Sequence, residues 1–92
     1  MRMRYLRLLY VLSEQSSLRR AAEVMNITQP AATKTLAEIE TLIGERLFTR
    51  TAKGLVATVL GEAAMRYARL VFKDLGALGA VDGQGLFGEH VL

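Results

Sequence analysis

Asn26-Ile27-Thr28-Gln29-Pro30-Ala31-Ala32-Thr33-Lys34-Thr35-Leu36 reads as a tight turn followed by a capped helix start. Thr28 is placed to cap with its hydroxyl, because the first backbone N–H groups of a helix have no partner inside it. Pro30 falls in the first turn, where its missing N–H costs little and its fixed φ suits the helix. From there Ala32, Leu36, Ile39 and Ile43 recur at helical spacing and predict one buried stripe. Pro30, Lys34, Ala37 and Thr41 lie on the opposite side, flanked by Gln29 and Thr33. Gly44 ends the helix, as the residue best suited to a left-handed cap. The helix is thus expected to be anchored by its rear face and to offer a polar, positively charged N-terminal end to a partner.

Upstream, residues 18–25 predict a short helix with Leu18, Ala21, Ala22 and Met25 on its inner face and an N-cap in Ser16-Ser17. The small alanines allow another helix to cross closely. Residues 26–28 then form the turn, with Ile27 expected to tuck inward, and the two helices make a helix–turn–helix. Arg19 and Arg20 sit at a helix N-terminus, an unfavourable end for cations that a bound phosphate would relieve; a plain solvent-exposed pair is the alternative. Residues 3–15 predict a scaffold helix with Met3, Leu6, Leu9 or Tyr10, and Leu12 inside.

Downstream, Leu47 and Phe48 read as core anchors. Thr49 to Thr51 and Leu55 to Ala57 are β-prone runs around a turn at Lys53-Gly54. They predict a small hairpin wing with Arg50 and Lys53 near its tip, where a basic side chain reaches phosphate or the minor groove; pairing of Arg50 with Glu38 or Glu40 is the alternative. A further helix is expected from about Thr58 to Leu78. Its apolar stripe, Leu60, Ala63, Ala64, Tyr67, Leu70, Val71 and Leu75, suits either packing against a second copy or folding back on its own domain. Glycines at 76, 79, 83, 85 and 88 predict a flexible tail over residues 79–92.

Composition narrows the chemistry. The 92 residues carry a net charge of +3 and no cysteine, which excludes disulfides and thiolate metal sites. Residues 1–58 hold nine Lys/Arg against five Asp/Glu, whereas residues 59–92 hold three against four, so the basic excess accompanies the capped helix. Basic segments favour nucleic acid or acidic membrane surface as partners. No apolar run approaches the ~20 residues of a membrane span, and no signal-peptide pattern is complete at the start, so a cytoplasmic protein is expected. The only histidine is His90, in the tail, and no histidine–carboxylate cluster or phosphate loop accompanies it; neither an enzyme nor a cofactor is expected.

Taken together, Ser17-Leu18-Arg19-Arg20-Ala21-Ala22, Ile27 to Lys34, Leu36, Ile39-Glu40, Ile43-Gly44, Leu47-Phe48, Arg50, Thr58 and Gly61 resemble the N-terminal DNA-binding domain of LysR-type transcriptional regulators over roughly residues 3 to 75. The resemblance implies a mainly α fold: a winged helix–turn–helix over 1–58 and a dimerising linker helix over 59–78. It implies contact with double-stranded DNA by Thr28, Gln29, Pro30, Thr33 and Lys34, with Arg50 and Lys53 serving the wing, and a homodimer through the linker helix. Thr33 stands where serine is usual, Ala57 where leucine is common and Leu60 where alanine is common. Members of the family carry a larger C-terminal effector-binding domain, so a small-molecule effector is expected to act only through a domain absent from this chain. A protein-interaction module without specific DNA binding is the other reading.

Overall fold

The computed structural model describes the backbone of residues 2–15 and 17–82 and side chains as far as residue 73. Helices α1 (Met3–Gln15), α2 (Leu18–Met25) and α3 (Gln29–Ile43) precede a hairpin of β1 (Phe48–Thr51) and β2 (Gly54–Ala57), and helix α4 (Val59–Asp82) follows. The order of elements is the expected one, and α4 alone runs well beyond its expected end.

The caps explain the boundaries. The Ser17 hydroxyl accepts from Arg20 N at 3.1 Å and starts α2. The Thr28 hydroxyl accepts from Ala31 N at 3.1 Å and starts α3. Helix α2 ends on Asn26, which adopts the left-handed conformation at φ 60°, and the Ile27 N–H then closes on Ala22 O at 3.0 Å. Helix α3 ends on Gly44 at φ 85°, whose N–H donates to Glu40 O at 2.7 Å.

Helix α1 is the central strut, packed against α2, α3 and α4. It therefore buries more than one stripe: Tyr5, Leu6, Leu8, Leu9, Val11 and Leu12 are all inside, while Met3, expected inside, is exposed. Ala21, Ala22 and Ala32 are buried and close the angle between α2 and α3 with small side chains. Ile27 does not tuck inward; it is 37% exposed, because the left-handed step at Asn26 carries the chain to the rim of that angle.

The hairpin pairs antiparallel, Phe48 with Ala57 through Thr51 with Gly54, around a two-residue turn of Ala52 and Lys53. Gly54, at φ 110°, supplies the conformation the turn needs. Thr51 Oγ1 accepts from Lys53 N at 3.1 Å and donates to Gly54 O at 2.9 Å.

Thr58 joins wing to helix. Its hydroxyl accepts from Gly61 N at 3.0 Å and lies 2.9 Å from Arg46 O, and its N–H donates to Leu47 O at 2.9 Å. Helix α4 then presents two apolar faces. Ala64, Met65, Ala68, Val71 and Phe72 pack on the core, with Phe72 stacked on Tyr10 at 5.0 Å between ring centroids. Leu60, Ala63, Tyr67 and Leu70 form a neighbouring stripe that is half-buried at Ala63 and otherwise exposed. The single stripe expected from sequence thus divides: Ala64 and Val71 belong to the domain's own core. Positions 64, 68 and 71 lie on the core-facing side, whereas 60, 63, 67 and 70 centre about 90° further round at 100° per residue.

Helix α4 also continues four residues past its expected end, to Asp82, so residues 79–82 are helix rather than tail. A single glycine costs a helix only about 1 kcal/mol relative to alanine, and Ala77, Leu78, Ala80 and Val81 surround Gly76 and Gly79. The side chains of Leu75 and Leu78, the expected tail residues 83–92 with His90, and Ser16 lie outside the described residues.

Candidate nucleic-acid interface

The rear face of α3 holds the helix to the scaffold through Ala32, Leu36 and Ile39. That leaves Thr28, Gln29, Pro30, Thr33 and Lys34 exposed together at the N-terminal end, as expected. A helix N-terminus favours anions, because its unpaired N–H groups and dipole both attract negative charge. The Thr28 oxygen is occupied in capping, but its O–H is free to donate.

Beside this end, Thr33, Ala37 and Glu40 of α3 face Arg46, Arg50 and Leu55 across a cleft of about 120 Å³. The fold therefore brings Thr33 and Arg50, 17 positions apart in the chain, to one cleft between helix and wing. Lys53 is exposed in the hairpin turn.

The carboxylates of α3 are engaged elsewhere. Glu40 Oε2 accepts from Leu47 N at 2.7 Å and Phe48 N at 3.2 Å, while Oε1 lies 3.6 Å from Arg46 Nε. Glu38 Oε1 accepts from Arg4 Nη2 and from the Tyr5 hydroxyl, each at 3.1 Å. The hydrogen bond from Arg4, followed by that from Tyr5, holds the Glu38 carboxyl below the usual carboxylate range, and Glu38 raises Arg4 in turn. Among the described residues Arg50 and Lys34 consequently have no ion-pair partner. The alternative pairing of Arg50 with Glu38 or Glu40 does not occur.

Arg19 is partly satisfied at its unfavourable helix start by an i,i+4 pair with Glu23 at 2.9 Å. Arg20 is exposed and has no such partner among the described residues. Arg46, which supports the wing, and Tyr5, which holds Glu38, carried no role in the sequence reading, and Arg4, expected with Arg2 and Arg7 to be solvated or to touch phosphate, pairs with Glu38 instead. Arg4 and Glu38 are 34 residues apart, so no short-range pattern announces them.

No group of three or more potential metal ligands occurs among the described residues. None of their helices is long and apolar enough to cross a membrane.

A capped helix–turn–helix with a basic hairpin beside its second helix is a winged helix–turn–helix. Residues 3–62 match the family described as bacterial regulatory helix-turn-helix protein, lysR family. The chain belongs to that family. It is 40% identical over 78 residues to the HTH-type transcriptional regulator YdcI of Escherichia coli (strain K12), covering 85% of this chain and 25% of that protein. The chain thus spans about a quarter of the length of that relative. A crystal structure of a LysR-family regulator from Eggerthella lenta DSM 2243 superposes with a TM-score of 0.65 at 34% identity, over 74% of this chain and 96% of that one. The CbnR DNA-binding domain, solved as a complex with DNA, superposes with a TM-score of 0.76 at 26% identity, over 89% and 94%.

Proposed function

We infer that this chain is the DNA-binding domain of a bacterial transcriptional regulator, with the N-terminal end of α3 in the major groove and the wing on the minor groove or phosphates. The observation that carries the reading is the joint exposure of Gln29, Pro30, Thr33 and Lys34 beside a wing whose Arg50 makes no ion pair among the described residues. The chemistry suits base reading: Gln29 offers a donor and an acceptor to adenine, Lys34 donates to guanine, and the Thr33 methyl meets thymine. Thr28, Arg19, Arg20, Arg50 and Lys53 serve the backbone, which positions the protein without reading sequence.

The exposed α4 stripe supports a homodimer through this helix. Tyr67 is 58% and Leu70 61% exposed, an apolar seam that a symmetry mate would cover. Two domains so joined would read half-sites related by a two-fold axis and spaced by whole turns of duplex. Such a protein works in the cytoplasm, and a small-molecule effector would act through a C-terminal domain beyond these residues.

Selection of bound duplexes from a random pool at two salt concentrations tests the reading. A two-fold symmetric site is expected, with affinity falling steeply as salt rises. Gln29→Ala should relax preference at one position, whereas Lys53→Ala should weaken all sequences alike and reduce the salt slope by about one. No binding at either salt would overturn the assignment and leave the α4 surface as a protein-interaction module.

A further inference from the structure

The recognition helix carries a negative charge where a DNA reader is least able to tolerate one. Glu38 follows Lys34 by four residues, so at about 100° per residue their side chains stand about 40° apart, one turn along the same flank. Oppositely charged side chains at that spacing pair readily on an exposed helix. An unrestrained Glu38 would therefore have two harmful options: to occupy the Lys34 ammonium, or to face the phosphates.

In the structure Glu38 makes no ion pair with Lys34, although the Lys34 charge is close enough to favour the ionised carboxyl. Two donors from the first turns of α1 meet on Glu38 Oε1, Arg4 Nη2 and the Tyr5 hydroxyl, each at 3.1 Å. Tyr5 is buried in the core, so its hydroxyl is held in place by the packing of its ring. Arg4 is itself supported, its guanidinium carbon lying 5.3 Å from the centroid of the Tyr5 ring. The acceptor is thus fixed by one rigid donor and one charged donor, both on the α1 side of the helix. Lys34 is exposed and has no ion-pair partner among the described residues.

We propose that Arg4 and Tyr5 form a latch that holds the Glu38 carboxylate against α1 and so keeps Lys34 available to DNA. Arg4 is then a positioning residue: it acts through Glu38 and not by touching the duplex. This rests on the DNA-binding reading above.

Binding of a selected duplex, followed by fluorescence anisotropy at low salt, tests it with four proteins: wild type, Arg4→Gln, Glu38→Gln and the double variant. Both single substitutions break the same ion pair, so a loss of affinity through weakened folding would fall on both. Net charge alone already gives the two single variants opposite signs and would return the double variant to wild-type affinity, so the double variant is decisive. Arg4→Gln removes the charged donor and leaves the carboxylate held by Tyr5 alone, and is expected to weaken binding about five- to tenfold, since charges near the duplex are only weakly screened at low salt. Glu38→Gln removes that charge and should bind about twofold tighter, for the same electrostatic reason. The double variant should match Glu38→Gln.

A double variant as weak as Arg4→Gln would overturn the latch, because Arg4 would then be contacting DNA directly. Four equal affinities would overturn it as well, because the position of the carboxylate would not matter, while leaving the DNA reading intact. Failure of the wild type to bind any duplex would bring down the DNA reading and the latch together.

Discussion

Glu40 ties the wing to the recognition helix, and its removal should be costly in a way that distinguishes a backbone cap from an ion pair. Its side chain is only 16% exposed, and the Oε2 atom alone accepts both N–H groups at the start of β1, at 2.7 and 3.2 Å. Hydrogen bonds to a charged group are worth about 1.5–3 kcal/mol each, and donors left unpaired in a part-buried site lose a similar amount. With the second bond long and water able to reach the edge, Glu40→Ala should destabilise the domain by about 3 kcal/mol. In a domain of this size that lowers Tm by roughly 12–24 °C. Glu40→Gln keeps one carbonyl oxygen for both donors but loses the charge and turns an NH2 towards Arg46, so about 1 kcal/mol is expected. Arg46→Ala removes an ion pair at 3.6 Å whose arginine is 73% exposed, and should cost less than about 0.5 kcal/mol. Urea unfolding followed by circular dichroism measures all three. If Glu40→Ala and Arg46→Ala cost the same, the carboxylate is not acting as a cap for β1 and the reasoning fails. In DNA binding, Glu40→Ala should lose the wing's contribution while base preference at Gln29 persists.

Further outcomes follow from single positions. A Cβ on Gly61 would overlap the Leu47 carbonyl oxygen and lie 2.9 Å from its carbon; Gly61→Ala should therefore lower thermal stability by about 1–3 kcal/mol, against the gain that helix propensity alone would give. Asn26 sits at φ 60°, so Asn26→Gly should be close to neutral in urea unfolding while Asn26→Val costs about 1–2 kcal/mol. The folded state lowers the Glu38 pKa, so its contribution to stability is complete above the ordinary glutamate value and is lost as pH falls through the lower folded value; Glu38→Gln should flatten the stability–pH curve in that acidic window and nowhere above it. Leu70→Glu, at an exposed position of α4, should shift sedimentation from dimer to monomer without altering the helical circular dichroism signal; a wild-type monomer would remove the α4 seam from the proposal.

The division between what could be read in the chain and what could not follows the range of the forces involved. Helix limits rest on local chemistry. Ser17 and Thr28 cap from three residues away, Gly44 ends α3 with its own φ, and Ala32, Leu36 and Ile39 share a face because of the helical repeat. The exposed start of α3 and the basic wing follow from the same local signals, which is why the exposure of Gln29, Pro30, Thr33, Lys34, Arg50 and Lys53 could be expected. Apolar pattern alone misleads where a helix has more than one neighbour. It puts Leu60 and Ala64 on one stripe, suited to a second copy or to the domain itself, although Ala64 packs on the core and Leu60 is exposed. It also leaves Tyr5, Leu8 and Val11 of α1 out of the interior, though α1 is covered on three sides.

By itself the sequence determined the order of elements, their caps and the residues left exposed at the start of α3, because each depends on neighbours within one or two helical turns. Only the tertiary structure decided where the charges of α3 point. Glu40 meets the backbone of β1 seven and eight positions later, and Glu38 meets Arg4 and Tyr5 more than thirty positions earlier. Those pairings exist because packing α3 against α1 and the wing brings distant donors to one carboxylate, and no periodicity along the chain encodes such an encounter.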